Sequence, residues 1–163
     1  MERQHTISVR VHDRPGVLSR IAQVFARRGY NIDSLVVSAA HRKGFSRMTI
    51  GCQGDPAVLD QIIKQLDKLV DVVRAAEHNP NVSVERELAL FKVKATSSNR
   101  QAILQIIEVF RAKTVDISEN SLVVECTGTS DKIDAVENLL SDFGIIEMVR
   151  SGTVAMARGA EQT

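Results

Sequence analysis

Two short stretches of this chain have residue types suited to holding a small charged molecule. The first is Asp13-Arg14-Pro15-Gly16-Val17-Leu18. A glycine lets a ligand approach the backbone with no Cβ in the way. The amides of Gly16, Val17 and Leu18 would lie at a helix N-terminus, where hydrogen bonding and the helix dipole both favour a carboxylate. The same residues also suit plain helix initiation, since Asp is a common N-cap and Pro a common first-turn residue. The second stretch is Asn31-Ile32, after Gly29-Tyr30. A carboxamide offers donor and acceptor together, which matches the carboxylate and ammonium of an α-amino acid. Taken alone, Asn31 reads equally well as a turn former. Arg14 is a candidate anion clamp, with an exposed loop arginine as its plainer role.

Other chemistry is poorly supplied. GxSxG, Walker and HExxH patterns are missing, so no catalytic residue is assigned. Cys52 and Cys126 are far apart with no CxxC, and His5, His12, His41 and His78 have no ligand spacing. No metal set is therefore expected, and both thiols read as reduced core residues. Asp60, Asp67, Glu108 and Glu137 suit solvated helix faces. Lys plus Arg is 21 and Asp plus Glu is 20, with no Trp, one Tyr and five Phe. That balance argues against nucleic-acid binding, which needs a positive field and stacking rings. The polar start has no apolar signal core, and no run reaches the roughly 20 apolar residues of a membrane span. The expected location is the cytoplasm.

The elements that would position these residues occur twice. Ile21-Ala22-Gln23-Val24-Phe25 matches Ile106-Ile107-Glu108-Val109-Phe110 at an offset of 85 (106 − 21). Ile50 to Gly54 matches Val124 to Gly128 at 74 (126 − 52, between the cysteines), so the second copy has a shorter hairpin where the first has Ser34 to Arg47. Ile7, Val9 and Val11 alternate as a strand buried on one face. Leu18, Ile21, Ala22 and Phe25 make one helical stripe, ended by Arg27, Arg28 and Gly29. Ile32 to Val37 and Met48-Ile50-Cys52 read as a hairpin. Asp55-Pro56 opens a second helix lined by Leu59, Ile62, Ile63 and Leu66, and Val70 to Val73 suit a closing strand. The second half repeats the plan: a strand at Leu88 to Ala95 and a helix lined by Ile103, Ile106, Ile107 and Phe110. Strands follow at Val115-Ile117 and Leu122-Cys126, then a helix capped at Thr129-Ser130-Asp131, and an extended segment from Ile145 to Met156.

The predicted fold class is α+β, with two tandem ferredoxin-like βαββαβ domains. The expected division is residues 1–78, a linker at 79–83 within the polar, proline-broken stretch from Glu77 onward, and residues 84–163. Each order gives a four-stranded antiparallel sheet with both helices on one face. The other face and the edges then need cover, so a homodimer is expected. At an offset of 85, Asp13, Pro15 and Gly16 correspond to Ser98, Arg100 and Gln101, and Asn31 to Asp116. Loss of the glycine loop in the second copy favours a ligand site in the first.

The Asp13–Leu18 loop resembles the signature of ACT domains, the amino-acid-sensing modules of metabolic enzymes. Further segments are similar to the acetolactate synthase (acetohydroxyacid synthase) small-subunit family: Arg28-Gly29-Tyr30-Asn31-Ile32-Asp33-Ser34-Leu35, Ser46-Arg47-Met48-Thr49-Ile50, Lys64 to Val72, Glu85-Arg86-Glu87-Leu88 and Arg150-Ser151-Gly152. The resemblance covers essentially the whole chain. It implies a non-catalytic regulatory subunit that activates a large catalytic subunit and confers feedback inhibition by valine. Thiamine diphosphate, a divalent metal and FAD would be carried by that large subunit, which commits pyruvate to branched-chain amino acids. The implied effector residues are Asp13, Gly16, Val17 and Leu18, with Asn31 and Ile32 from the facing subunit. Asp13 departs from the Asn of some family members, and its charge would either weaken carboxylate binding or engage the ammonium. The competing readings are a free-standing ACT-repeat sensor of transcription or another enzyme, and a small acyl-phosphate hydrolase of the same topology.

Overall fold

Ile7, Val9 and Val11 are each at most 1% exposed, as their alternation requires, and they form the centre of the first sheet. The computed structural model describes residues 3–163. The first set of elements is β1 (Arg3–His12), α1 (Val17–Arg27), β2 (Ile32–Ala39), β3 (Phe45–Gly54), α2 (Pro56–Leu66) and β4 (Val72–Glu77). The second set is β5 (Ser83–Lys94), α3 (Arg100–Val109), β6 (Lys113–Ile117), β7 (Ser121–Gly128), α4 (Ser130–Ser141) and β8 (Ile145–Arg150), followed by a short β9 (Val154–Ala157). The strand orders are β2-β3-β1-β4 and β6-β7-β5-β8, with β9 added to β5. Both are antiparallel, so the fold is the ferredoxin-like βαββαβ plan in duplicate.

Contacts group the residues up to Glu85 with Gly152–Thr163 in one compact unit, and Arg86–Ser151 in another. In the first unit, Val17, Ile21, Val24 and Phe25 of α1 and Leu59, Ile62 and Leu66 of α2 pack with Met48, Ile50 and Cys52. Asp55 caps α2 by accepting the Ala57 amide at 2.7 Å, with Pro56 in the first turn. On the opposite sheet face Ser8 and Thr49 are also buried. There Arg47 donates to the Ala155 carbonyl at 2.9 Å, and Gly152 lies against Val36 and Ser34. In the second unit, Phe91, Val93, Ile103, Leu122, Val124, Ile133 and Leu140 form the core. Arg150 and Glu87 make a two-pronged ion pair at 2.7 and 2.9 Å beneath α4. That bonding is the main reason the Glu87 carboxyl is held below its ordinary pKa.

Several elements differ from expectation. β4 starts at Val72, because the Val72 amide turns back onto the Leu69 carbonyl and leaves Val70 89% exposed. β5 begins at Ser83, ahead of Leu88, and β6 at Lys113. Thr129 is the N-cap of α4 but makes no side-chain cap bond. The single extended segment expected from Ile145 to Met156 is broken at Gly152, whose φ is +85°. His78, expected in the polar linker stretch, is buried and shares hydrogen bonds with Ser8 at 2.6 Å and Ser83 at 3.0 Å. His5 is likewise buried, held by Glu77 at 2.6 Å and the Gly54 carbonyl at 3.1 Å.

The repeat offset needs correction for the first helix. Gly29 and Arg111 both take positive φ after it, at +67° and +52°. The bonds Tyr30 amide to Phe25 carbonyl and Ala112 amide to Ile107 carbonyl are also equivalent. The true offset there is 82 (111 − 29), so Gly16 corresponds to Ser98 and Asn31 to Lys113. The offset of 74 holds for the second helix, where Leu59, Ile62 and Leu66 match Ile133, Val136 and Leu140 in burial.

Candidate functional site

The turn from β1 into α1 is open where its counterpart is closed. Gly16 is the N-cap of α1 at φ +82°, with no side-chain cap. The Val17 amide reaches the Arg14 carbonyl only at 3.4 Å, a long bond, and the helix ladder begins with Arg20 to Gly16 at 3.2 Å. Among the described residues the Gly16 and Leu18 amides have no hydrogen-bond partner. In the second copy, the Arg100 amide, equivalent to that of Leu18, is bonded to the Thr96 carbonyl at 3.0 Å. The Asn99 side chain accepts the Thr96 amide at 2.7 Å. The Arg100 guanidinium then fills the turn, donating to the carbonyls of Ala95, Ser118 and Glu119 at 3.2, 2.9 and 2.9 Å. The two turns thus differ at one amide, free at Leu18 and bonded at Arg100, and in the side chain that occupies the second turn. The first leaves the Gly16 and Leu18 amides unbonded at the positive end of an 11-residue helix, the arrangement that attracts an anion.

The surroundings add charge. The Asp13 amide is tied to the Gly44 carbonyl at 2.9 Å, which anchors the turn to the β2–β3 connection. Asp71, mostly buried, holds Arg20 at 2.5 Å and Arg14 at 3.7 Å. A Cβ at Gly16 would lie 3.2 Å from the Arg20 guanidinium, so that cation stands beside the exposed amides. Arg20 and Asp71 were not singled out from sequence. Their partnership spans 51 residues, and only the i, i+4 spacing of Arg20 from Gly16 hinted at it.

The candidate residues are not all brought together by one chain. Asp13 and Gly16 are exposed and Leu18 is 41% exposed, whereas the Val17 side chain is committed to the core at 3%. Val17 therefore offers the turn its backbone and not its isopropyl group. Asn31 is exposed, its carboxamide donating to Asp33 at 2.9 Å, and Ile32 is half-buried at the start of β2. These two lie past the far end of α1, about 16 Å along its axis from Gly16 at 1.5 Å per residue. β2 is an edge strand, so its outer side is open to pairing with a second chain. Both thiols are buried in strands, and burial pushes the Cys52 pKa up to about 11, with Asp33 and Glu77 adding to it.

Residues 7–74 match the family model of the AHAS small subunit-like ACT domain, and residues 86–159 match that of the small subunit of acetolactate synthase. The acetolactate synthase small subunit of Mycolicibacterium smegmatis is 47% identical over 155 residues, covering 95% of this chain and 91% of that protein. The chain belongs to the acetolactate synthase small-subunit family. A probable small subunit from Methanothermobacter thermautotrophicus is 48% identical over 157 residues, covering 96% and 94% of the two chains. The crystal structure of the Thermotoga maritima acetolactate synthase small subunit superposes with a TM-score of 0.87 at 41% identity, covering 98% of this chain and 99% of that one. The glycine turn lies within residues 7–74, the ACT-domain match, and its counterpart within residues 86–159. Among the described residues no helix is long and apolar enough to cross a membrane.

Proposed function

We propose that this chain is the regulatory subunit of an acetolactate synthase, activating a large catalytic subunit and conferring feedback inhibition by valine. The observation that carries the reading is the open Gly16 turn. It presents unpartnered amides and a neighbouring arginine, while the duplicate turn is plugged by its own Arg100.

In this reading residues 1–78 sense and residues 84–163 serve partner contacts. Two chains pair through their β2 edges, which carries Asn31 and Ile32 of one protomer towards the glycine turn of its partner. The valine carboxylate meets the Gly16 and Leu18 amides. Asn31 of the facing chain and Asp13 hold the ammonium end, and Leu18 and Ile32 flank the isopropyl group. Thiamine diphosphate, the divalent metal and FAD belong to the large subunit, and the assembly works in the cytoplasm. Inhibition requires valine to favour a dimer arrangement less compatible with the active large subunit, by a coupling of about 1–3 kcal/mol.

The purified chain, mixed with its cognate large subunit, is expected to raise acetolactate output, and valine to lower it. Gly16→Asp is expected to abolish the valine effect and keep the activation. Unchanged valine sensitivity in that variant refutes the site, and no change in output on mixing refutes the partnership.

A further inference from the structure

The first sheet carries a second feature, on the face turned from its helices, that the glycine turn does not use. Arg47 of β3, Arg10 of β1 and Arg74 of β4 stand directly opposite one another in register. Like charges in directly opposed positions destabilise a sheet. Among the described residues none of the three joins an ion pair. Arg47 has one carbonyl partner, Ala155, and burial followed by the charge of Arg10 pulls its pKa below the ordinary value. The row keeps positive charge concentrated without an internal counter-charge, which is the condition an external anion relieves.

Arg10 and Arg47 also line a cavity of about 650 Å³, within the range of small-molecule sites. Arg42 and His41 of the β2–β3 connection form one wall, and Met156 and Glu161 another. Phe45 supplies an aromatic surface, with the Arg42 guanidinium 5.0 Å from its ring centroid. Glu161 reaches no arginine within ion-pair distance among the described residues. The lining thus sets the cationic Arg10, Arg42 and Arg47 against a mixed wall in which Met156 is apolar and Glu161, Gln162 and Thr163 are polar.

We propose that this cavity is a second small-molecule site for an organic anion. Its carboxylate or phosphate meets Arg10 and Arg47, and its carbon body lies against Phe45 and Met156. Arg10, Arg42 and Arg47 line the cavity against one carboxylate side chain, Glu161, so the excess of positive charge favours an anion over a zwitterion such as valine. The site is separate from the glycine turn and stands independently of the valine reading.

Titration calorimetry on the full-length chain tests it, with phenyl phosphate as the probe and inorganic phosphate and benzyl alcohol as controls. Phenyl phosphate is expected to bind saturably, inorganic phosphate more weakly, and benzyl alcohol not measurably. Arg10→Gln, which removes a side chain with no hydrogen bond among the described residues, is expected to weaken phenyl phosphate at least about tenfold, as loss of a charge-assisted bond does. Phe45→Leu is expected to weaken phenyl phosphate and leave inorganic phosphate unchanged. Absence of saturable binding, equal affinity in Arg10→Gln, or displacement of phenyl phosphate by valine would each overturn the proposal.

Discussion

Gly16 has two separable roles, and a set of three substitutions distinguishes them. Its φ of +82° lies where an L side chain costs about 1–2 kcal/mol. Space is not the obstacle, since an added Cβ would meet only the flexible tip of Arg20 at 3.2 Å. Gly16→Ala is therefore expected to lose about 1–2 kcal/mol of stability. That corresponds to a Tm lower by about 2–8 °C for a chain of this size, and to a lower urea midpoint at unchanged m. Gly16→Asn is expected to lose less, because Asn tolerates the left-handed region. Gly16→Asp has nearly the same shape as Gly16→Asn and differs by one negative charge. If a carboxylate lies about 4 Å away, that charge opposes it by about 1–4 kcal/mol between the dielectric of water and that of a protein surface. Calorimetry should then show valine binding to the Asp variant at least about fivefold more weakly than to the Asn variant. Equal valine affinity in the two would refute the placement of the carboxylate. An unchanged urea midpoint in Gly16→Ala would refute the conformational argument.

Four further outcomes follow from buried polar groups. Arg150→Met strands a Glu87 carboxylate that is only 5% exposed, so a loss of about 3–5 kcal/mol is expected in urea unfolding, with partial recovery in the double variant carrying Glu87→Gln. The Glu87 pKa is depressed from 4.5, so its contribution is present above that value and disappears as pH falls through the lower folded pKa; Glu87→Gln should flatten the acid limb of the stability profile. Burial, followed by the charge of Arg47, lowers the His78 pKa from 6.5. The unfolded chain then binds more protons, so this contribution is complete above 6.5 and falls with acidification below it. A urea midpoint with the same slope between pH 7.5 and 5.5 in the wild type and in His78→Gln would contradict this. The Cys52 thiol, at about 11, should resist iodoacetamide at pH 8 in the native state and react in concentrated urea; rapid native labelling would show that the burial argument is wrong.

Local patterns carried most of the fold in advance. Alternation in β1 and β3, the α1 stripe with its Arg27-Arg28-Gly29 stop, and the Asp55-Pro56 cap all rest on neighbours in sequence, where physical rules act directly. The repeat was legible but slipped by one turn in the first helix. An apolar stripe recurring every three or four residues aligns almost as well at 85 as at 82, and only the paired positive φ of Gly29 and Arg111 fixes the register. Val70 read as strand because its side chain suits one, yet the Leu69–Val72 turn outranks that preference. The glycine turn was visible, but its contrast with the Arg100 plug depends on contacts across 18 and 19 residues. The Arg47–Arg10–Arg74 row was invisible because it exists only once three strands are in register.

The amino-terminal unit is discontinuous in the chain, since it recruits Gly152–Thr163 after the second unit has been completed. During synthesis residues up to Glu85 therefore emerge well before this segment, and Arg47 gains the Ala155 carbonyl, and Val36 its Gly152 neighbour, only later. Splitting the gene between the two halves would yield an incomplete first piece and a second piece bearing an orphaned strap.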